Sequence, residues 1–269
     1  MSPILAIDNL SIHAGDKVLV SDLSFSIAPG ERLGLIGESG SGKSLTALSA
    51  IGLLGDGLEA RGSVLLGGKQ VIGARDRDLV PLRGTIAAVV FQEPLTALDP
   101  LMTIGRQIGE AVRRRARRDG RRLDTAAVNA EVMDLIDQVA LPEPRRIADA
   151  WPHEMSGGQR QRAAIAMALA CRPELLIADE PTTALDVTTQ AEILALLGKL
   201  VRERGMALLF ISHDLPVVAG SVDRVAVLRY GRLVEQGPVD QVFRHPTEAY
   251  TRTLVDAARA FDDALRIAP

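Results

Sequence analysis

Gly37-Glu38-Ser39-Gly40-Ser41-Gly42-Lys43-Ser44 is the segment of this chain with the plainest chemical use. An apolar run, Leu33-Gly34-Leu35-Ile36, precedes it and reads as a buried strand, and a helix-forming run, Leu45-Thr46-Ala47-Leu48, follows. A strand, a glycine-rich turn and a helix start aim several backbone N–H groups at one point, at the positive end of the helix dipole. Glycines at 37, 40 and 42 let the backbone wrap a phosphate without Cβ clashes, at positive φ where required. Lys43 can reach the β- and γ-phosphates of a nucleoside triphosphate, and the Ser44 hydroxyl can ligate Mg²⁺. The bland alternative is a flexible turn with a solvated lysine; the flanking strand and helix argue against it. Lys43 is also one of four lysines among 31 basic residues, so background usage does not explain its place.

A second group is Leu175-Leu176-Ile177-Ala178-Asp179-Glu180. Four apolar residues suit a parallel strand buried on both faces. Two carboxylates then emerge at its C-terminal end, where open α/β sheets place ligands. Asp179 can orient Mg²⁺ through its water shell, and Glu180 can act as the base that polarises an attacking water. An acid pair alone reads equally well as a strand with a polar turn; the cradle upstream decides between the two. The third group is Ser156-Gly157-Gly158-Gln159. Ser156 can cap the helix that starts at the glycines, whose N–H groups then face an anion. Two glycines disfavour that helix by roughly 1 kcal/mol each, so close approach to phosphate explains them better than stability does.

The elements that must position these groups follow from periodicity. Ile4 to about Lys69 alternates apolar stretches with turn glycines, which suggests antiparallel strands around the first cradle strand. Thr85 to Phe91 reads as a second buried strand. From Pro94 to Pro152 prolines and helical patterns dominate, as in the run Glu131 to Val139. Core signals then return as helix, strand, helix, strand: Gln161 to Ala170, Leu175 to Ala178, Gln190 to Arg202 and Ala207 to Ile211. Strands alternating with helices imply a mostly parallel sheet, here with a helical insertion.

Composition narrows the class. The chain has 269 residues, a net charge of −3 and one cysteine, Cys171. That charge gives no global bias toward nucleic acid or anionic lipid. A single cysteine forms no intrachain disulfide and reads as an ordinary buried thiol. Asp8 and the lack of a basic start argue against a secretory signal. The longest strictly apolar run, Ala163 to Cys171, is far short of the ~18 residues that span a bilayer, so a membrane role needs a separate partner. The basic segment Arg113 to Arg122 lacks aromatics for base stacking and is expected to be a solvated helix end or loop; a nucleic-acid or lipid-headgroup patch is its alternative.

Met155-Ser156-Gly157-Gly158-Gln159-Arg160-Gln161-Arg162 resembles the signature motif of ABC-type ATPases, with Met155 where leucine is usual. Asp179 to Asp186 is similar to their acidic strand end and D-loop, Gln92 falls at the Q-loop position, and His213 falls at the switch histidine. The match runs in order over almost the whole chain. It implies one ABC ATPase domain of RecA-like P-loop type, α/β, with a mostly parallel sheet. Within it, residues 1–93 and 161–269 form the nucleotide core with an N-terminal antiparallel β-subdomain, and 94–160 form a helical subdomain bearing the signature. It further implies ATP hydrolysis between two subunits, with Glu180, His213 and Gln92 catalytic and with Ser44, Gln92 and Asp179 at Mg²⁺. Nucleotide contacts would come from Gly37 to Ser44, from Ser156 to Gln159 and from Asp186. The family's adenine-stacking aromatic is replaced by Ala14, beside His13, so either His13 stacks or apolar contacts hold the base.

Phe91 to Pro100, Val234 to Pro246 and Tyr250-Thr251 resemble the peptide and nickel importers of bacteria. The expected partners are a second ATPase subunit, identical or not, two membrane permease subunits and, indirectly, an extracytoplasmic solute-binding protein. The expected place is the cytoplasmic face of the inner membrane, and the solute a peptide, nickel or a metal chelate. The chain ends soon after Tyr250-Thr251 without the cysteine-containing tail of longer peptide-importer subunits, so its length is nearer the short nickel or metallophore type. A nucleic-acid ABC ATPase predicts a long coiled coil or a second cassette, and a monomeric P-loop kinase has no use for Ser156 to Gln159; both are disfavoured.

Overall fold

The computed structural model describes residues 2–183 and 185–267, the last seven of these by their backbone alone. The chain divides into two compact units, Met1–Leu82 with Gly205–Pro269, and Arg83–Arg204.

In the first unit β1 (Leu5–Ala14), β2 (Lys17–Ile27), β4 (Leu58–Leu66) and β5 (Lys69–Gln70) form an antiparallel sheet in the order β2-β1-β4-β5. Leu5, Ile7, Leu10 and Ile12 of β1 are buried. A register break between Ile7 and Leu10 inserts Asp8 and Asn9 on the exposed side, with Asn9 at φ 49°; a bulge of this kind restores the inward face. The cradle strand β3 (Arg32–Ile36) does not join this sheet, contrary to the expectation that antiparallel strands would surround it. It pairs in parallel with β8 (Ala207–Ser212) and β9 (Arg224–Arg229), and β10 (Arg232–Pro238) lies antiparallel to β9. Leu33 to Ile36 and all six residues of β8 are buried, the pattern of strands covered on both faces. The Arg32 guanidinium fixes the start of β3 by donating to both oxygens of Asp223, from Nε at 3.0 Å. This bond holds the Asp223 carboxyl below the usual carboxylate range. Helices α1 (Lys43–Ala50), α2 (Asp76–Leu79), α8 (Leu215–Ala219), α9 (Val239–Arg244) and α10 (Ala249–Ile267) complete the unit.

In the second unit β6 (Ala87–Val90) pairs in parallel with β7 (Leu175–Asp179). Helices α3 (Ile104–Arg118), α4 (Thr125–Gln138), α5 (Pro144–Asp149), α6 (Gly157–Ala170) and α7 (Val187–Arg204) surround the pair in sequence. The strand expected over Thr85 to Phe91 is shorter at both ends. The Gly84 N–H turns back onto the Ala87 carbonyl at 2.6 Å, and the Phe91 carbonyl accepts from Gln161 Nε2 instead of a ladder partner. Ile104, Ile108 and Val112 of α3 repeat every four residues and are buried, as are Val128, Val132 and Ile136 of α4; this spacing makes one apolar stripe per helix.

The basic segment is only partly solvated. Arg113 to Arg118 continue α3, and Arg115 is 4% exposed. Its guanidinium donates to Glu131 Oε2 at 2.5 Å and to the Ala170 carbonyl at 3.3 Å. A buried charge needs such partners, so Arg115 ties α3 to α4 and to the end of α6. Among the described residues no helix is long and apolar enough to cross a membrane.

Candidate functional site

The first unit builds the cradle. Gly37, Gly40 and Gly42 have φ of 150°, 78° and 99°, values that disfavour any residue with a Cβ. A Cβ on Gly42 would lie 2.7 Å from Val20 Cγ2. Gly42 precedes the first turn of α1 with no side-chain cap, so that turn presents its N–H groups outward from the helix start. Lys43 is 5% exposed, and its Nζ donates to the carbonyls of Gly37 at 2.7 Å and Glu38 at 2.9 Å. The Ser41 Oγ is buried and has no hydrogen-bond partner among the described residues. A buried hydroxyl without a partner beside an uncapped helix start fits an anion that accepts from both. Glu38, Ser39 and Gly40 form the exposed lip, and Ser44 is exposed one residue into the helix.

His213 follows β8 directly and is exposed. In the parallel pairing Ile36 stands opposite Ser212, so Gly37 and His213 leave the same end of adjacent strands. The Asp214 carboxylate accepts from the Val217 N–H at 3.2 Å and starts α8, which fixes the turn that carries the histidine. At the tip of the β1–β2 hairpin His13 and Ala14 are both half-buried.

The second unit repeats this arrangement. Val90 stands opposite Ala178, so Gln92 and the pair Asp179-Glu180 leave the same end of β6 and β7. Gln92 is exposed, and the carbonyl before it is held by Gln161, which is 1% exposed. Glu180 lies in the left-handed region at φ 46°, and its Oε2 accepts from Thr183 Oγ1 at 3.0 Å. Sequence reading missed this backbone strain. Its one available signal was the pair of carboxylates placed directly at a strand end before Pro181.

Ser156 caps α6 as expected and does so reciprocally. Its Oγ accepts from the Gln159 N–H at 3.3 Å, and Gln159 Oε1 accepts from the Ser156 N–H at 3.0 Å; this is a capping box. Gly157 at the start of α6 is exposed, while Met155 is buried at 4% exposure and fills the apolar position that leucine would. The basic residues of the motif serve the fold: Arg160 donates to the Pro152 carbonyl at 2.6 Å, and Arg162 to Glu192 at 2.7 Å. The two glycines differ. A Cβ on Gly157 would meet Leu185 Cδ2 at an ordinary 3.4 Å, whereas one on Gly158 would lie 2.6 Å from Thr189 Cγ2. Packing against α7 is thus a second reason for Gly158, besides approach to phosphate.

Asp186 also has a role that its motif position did not suggest. Its carboxylate accepts from the Thr189 N–H at 3.0 Å and from Thr189 Oγ1 at 2.7 Å, so it caps α7. The Thr189 N–H holds this carboxyl below the usual range. Ala184, within the expected D-loop, lies outside the described residues.

Comparison with known proteins agrees with these two sets. The family model described as ABC transporter matches residues 20–183. The chain is 48% identical over 261 residues to the peptidoglycan transport ATP-binding protein YejF of Agrobacterium fabrum, covering 95% of this chain and 47% of that protein. It is 44% identical over 266 residues to the oligopeptide transport ATP-binding protein OppD of Haemophilus influenzae, covering 97% of this chain and 81% of that one. Among solved structures, the dimeric post-hydrolysis state of the ATP-binding cassette MJ0796 with ADP and Pi superposes with a TM-score of 0.76 at 27% identity. It covers 87% of this chain and 98% of the other. The fold of CbiO1 from Clostridium perfringens matches with a TM-score of 0.76 over 99% of this chain and 100% of that one, at 24% identity. A cradle on β3, an acidic end on β7, a capped glycine pair on α6 and these matches lead to one conclusion: the chain belongs to the ABC transporter family, as an ATP-binding and ATP-hydrolysing subunit.

Proposed function

We propose that this chain powers uptake of a peptide-type solute by pairing with a second ATPase subunit on the cytoplasmic face of a bacterial inner membrane. The names of the relatives support a peptide-like cargo. Two permease subunits and a solute-binding protein would complete the system. Residues 94–160 would act as its helical arm within one ABC ATPase domain. No nucleic-acid role is proposed, because the fold itself uses Arg115 of the basic segment.

The observation that carries the shared-site reading is the exposed, capped start of α6. Ser156 and Gln159 satisfy each other and leave the amide end at Gly157 facing outward. A helix N-terminus aimed at solvent gains its charge partner when a second molecule presents a γ-phosphate.

In each composite site one chain supplies the cradle. Backbone N–H groups from Gly40 to Ser44 and the Lys43 ammonium hold the β- and γ-phosphates, placing the scissile bond and opposing its charge. Glu180 accepts a proton from the attacking water, with Gln92 leaving the strand end beside it and His213 leaving the strand end beside Gly37. Ser44, Asp179 and Gln92 are the donors that would hold Mg²⁺, a hydroxyl, a carboxylate and an amide that suit a hard cation keeping waters and phosphate oxygens. When bound, that ion neutralises charge on the β- and γ-oxygens. The partner's signature helix closes over the γ-phosphate, with Asp186 fixing the turn beside it. ATP thus bridges the two chains, and its hydrolysis removes the bridge, so the closed and open states differ in affinity for ATP.

The test places cysteines at Ser41 and Ser156 in a Cys171→Ser background. Burial raises the Cys171 thiol above its ordinary range, which slows its own reaction. A Ser41–Ser156 crosslink between chains is expected with ATP and not with ADP; its absence in the ATP-bound state would overturn the shared site. A second prediction separates the two reasons for Gly158. Gly158→Ala alone should destabilise through Thr189, while Gly158→Ala with Thr189→Ser removes the clashing methyl and keeps the hydroxyl on Asp186. The double variant should melt at or above the parent temperature, since alanine suits a helix by ~1 kcal/mol over glycine. It should still lose ATP-dependent pairing. Parental turnover in that variant would leave packing as the sole role of Gly158.

A further inference from the structure

The cradle is gripped from outside by the last part of the chain, which lies beyond the residues matched by the family model. The Tyr250 hydroxyl accepts a hydrogen bond from the Glu38 backbone N–H at 3.2 Å, across 212 residues of sequence. The Gly231 N–H donates to the Ser41 carbonyl at 3.2 Å. Each half of the loop therefore has one tie to a distant element.

The Tyr250 ring is itself held. It is 8% exposed, and the Arg229 guanidinium carbon sits 4.6 Å above its centroid, within cation–π range. The backbone just before it is anchored to β10 by Glu235. That carboxylate accepts from the Thr247 N–H at 2.9 Å, Thr247 Oγ1 at 2.8 Å and the Glu248 N–H at 3.2 Å. Burial opposes the charge on Glu235, yet these bonds hold its carboxyl below the usual range. The hydroxyl thus stands on a fixed arm.

One peptide group is involved on both sides. Lys43 holds the Glu38 carbonyl while Tyr250 holds the Glu38 N–H. Two of the three ammonium donors rest on the Gly37 and Glu38 carbonyls, and either one turned toward phosphate is withdrawn from its carbonyl. The tyrosine tie does not compete with nucleotide, so it keeps the lip of the loop in place as the lysine changes partners. We propose that Tyr250 is a positioning residue for the phosphate cradle, setting nucleotide affinity from the C-terminal helix. This rests on the reading of Gly37 to Ser44 as the ATP site.

Tyr250→Phe removes the hydroxyl and keeps the ring under Arg229. In the full-length chain, titration with ATP and with ADP should show Kd raised about 3- to 10-fold, the scale of one hydrogen bond. KM for ATP should rise in proportion, with kcat at saturating ATP near parental. Amide hydrogen exchange should accelerate at Glu38 and its neighbours in the loop and stay unchanged in β3 and β9. Tyr250→Leu, which also removes the cation–π contact, serves as the second variant and should weaken binding further. An unchanged Kd for Tyr250→Phe, or faster exchange spread through the whole unit, would overturn the positioning role. A parent chain that binds no ATP would instead overturn the reading of the cradle.

Discussion

Glu180→Gln should leave ATP affinity close to parental and slow turnover by at least ~10²-fold, the usual scale for loss of a general base. The amide keeps the size of the carboxylate and can still take the hydrogen bond from Thr183 Oγ1. It cannot accept a proton from water. The strand end that carries residue 180 is fixed by the β6–β7 pairing, so the substitution leaves the other groups in place. In the proposed shared site hydrolysis removes the bridging nucleotide, and the variant should therefore accumulate as an ATP-bound pair of chains. Size-exclusion with ATP, alongside phosphate release, checks both halves. A variant that stays monomeric in ATP and keeps hydrolysing would show that another group is the base.

Lys43→Ala should abolish hydrolysis and weaken triphosphate binding severely. Loss of one preorganised donor to a developing charge costs about 10²–10³-fold in rate, and here the loss is double. The ammonium that is expected to meet the phosphates also holds the carbonyls of Gly37 and Glu38. Without it the loop loses two internal bonds as well as its cation, at a site where the side chain is 5% exposed and solvent does not readily substitute. Lys43→Arg restores charge but has a wider, planar head, and should not restore turnover. Phosphate release and nucleotide titration on the purified variants test this; near-parental turnover in Lys43→Ala would remove the cradle from the mechanism.

The sequence carried the local chemistry well because that chemistry is local. Gly37 to Ser44 and Ser156 to Gln159 were legible since a tight turn and a helix cap depend on contiguous residues, and both glycine angles and the capping box match. The alternation of strands and helices was legible for the same reason. The membership of β3 was not: its four buried residues suit several neighbours, and only pairing with β8 and β9 fixes which. Arg115 looked solvated within an arginine run, since burial of one arginine among the seven from 113 to 122 depends on where Glu131 and Ala170 arrive. Thr189 against Gly158 and Tyr250 on Glu38 were silent for the same cause, both being contacts made only after distant segments fold.

The left-handed backbone at Glu180 separates two kinds of selection on this chain. A non-glycine residue at φ 46° costs roughly 1–2 kcal/mol relative to the ordinary helical or extended regions. Glycine there would relieve most of that cost, and asparagine part of it. Chains chosen in a laboratory for heat resistance alone would drift toward those residues at position 180, becoming sturdier and inert together. Screens that reward thermal survival should therefore hold this position fixed or score turnover in parallel. The residue proposed to move the proton is one that the backbone, left to itself, would not choose.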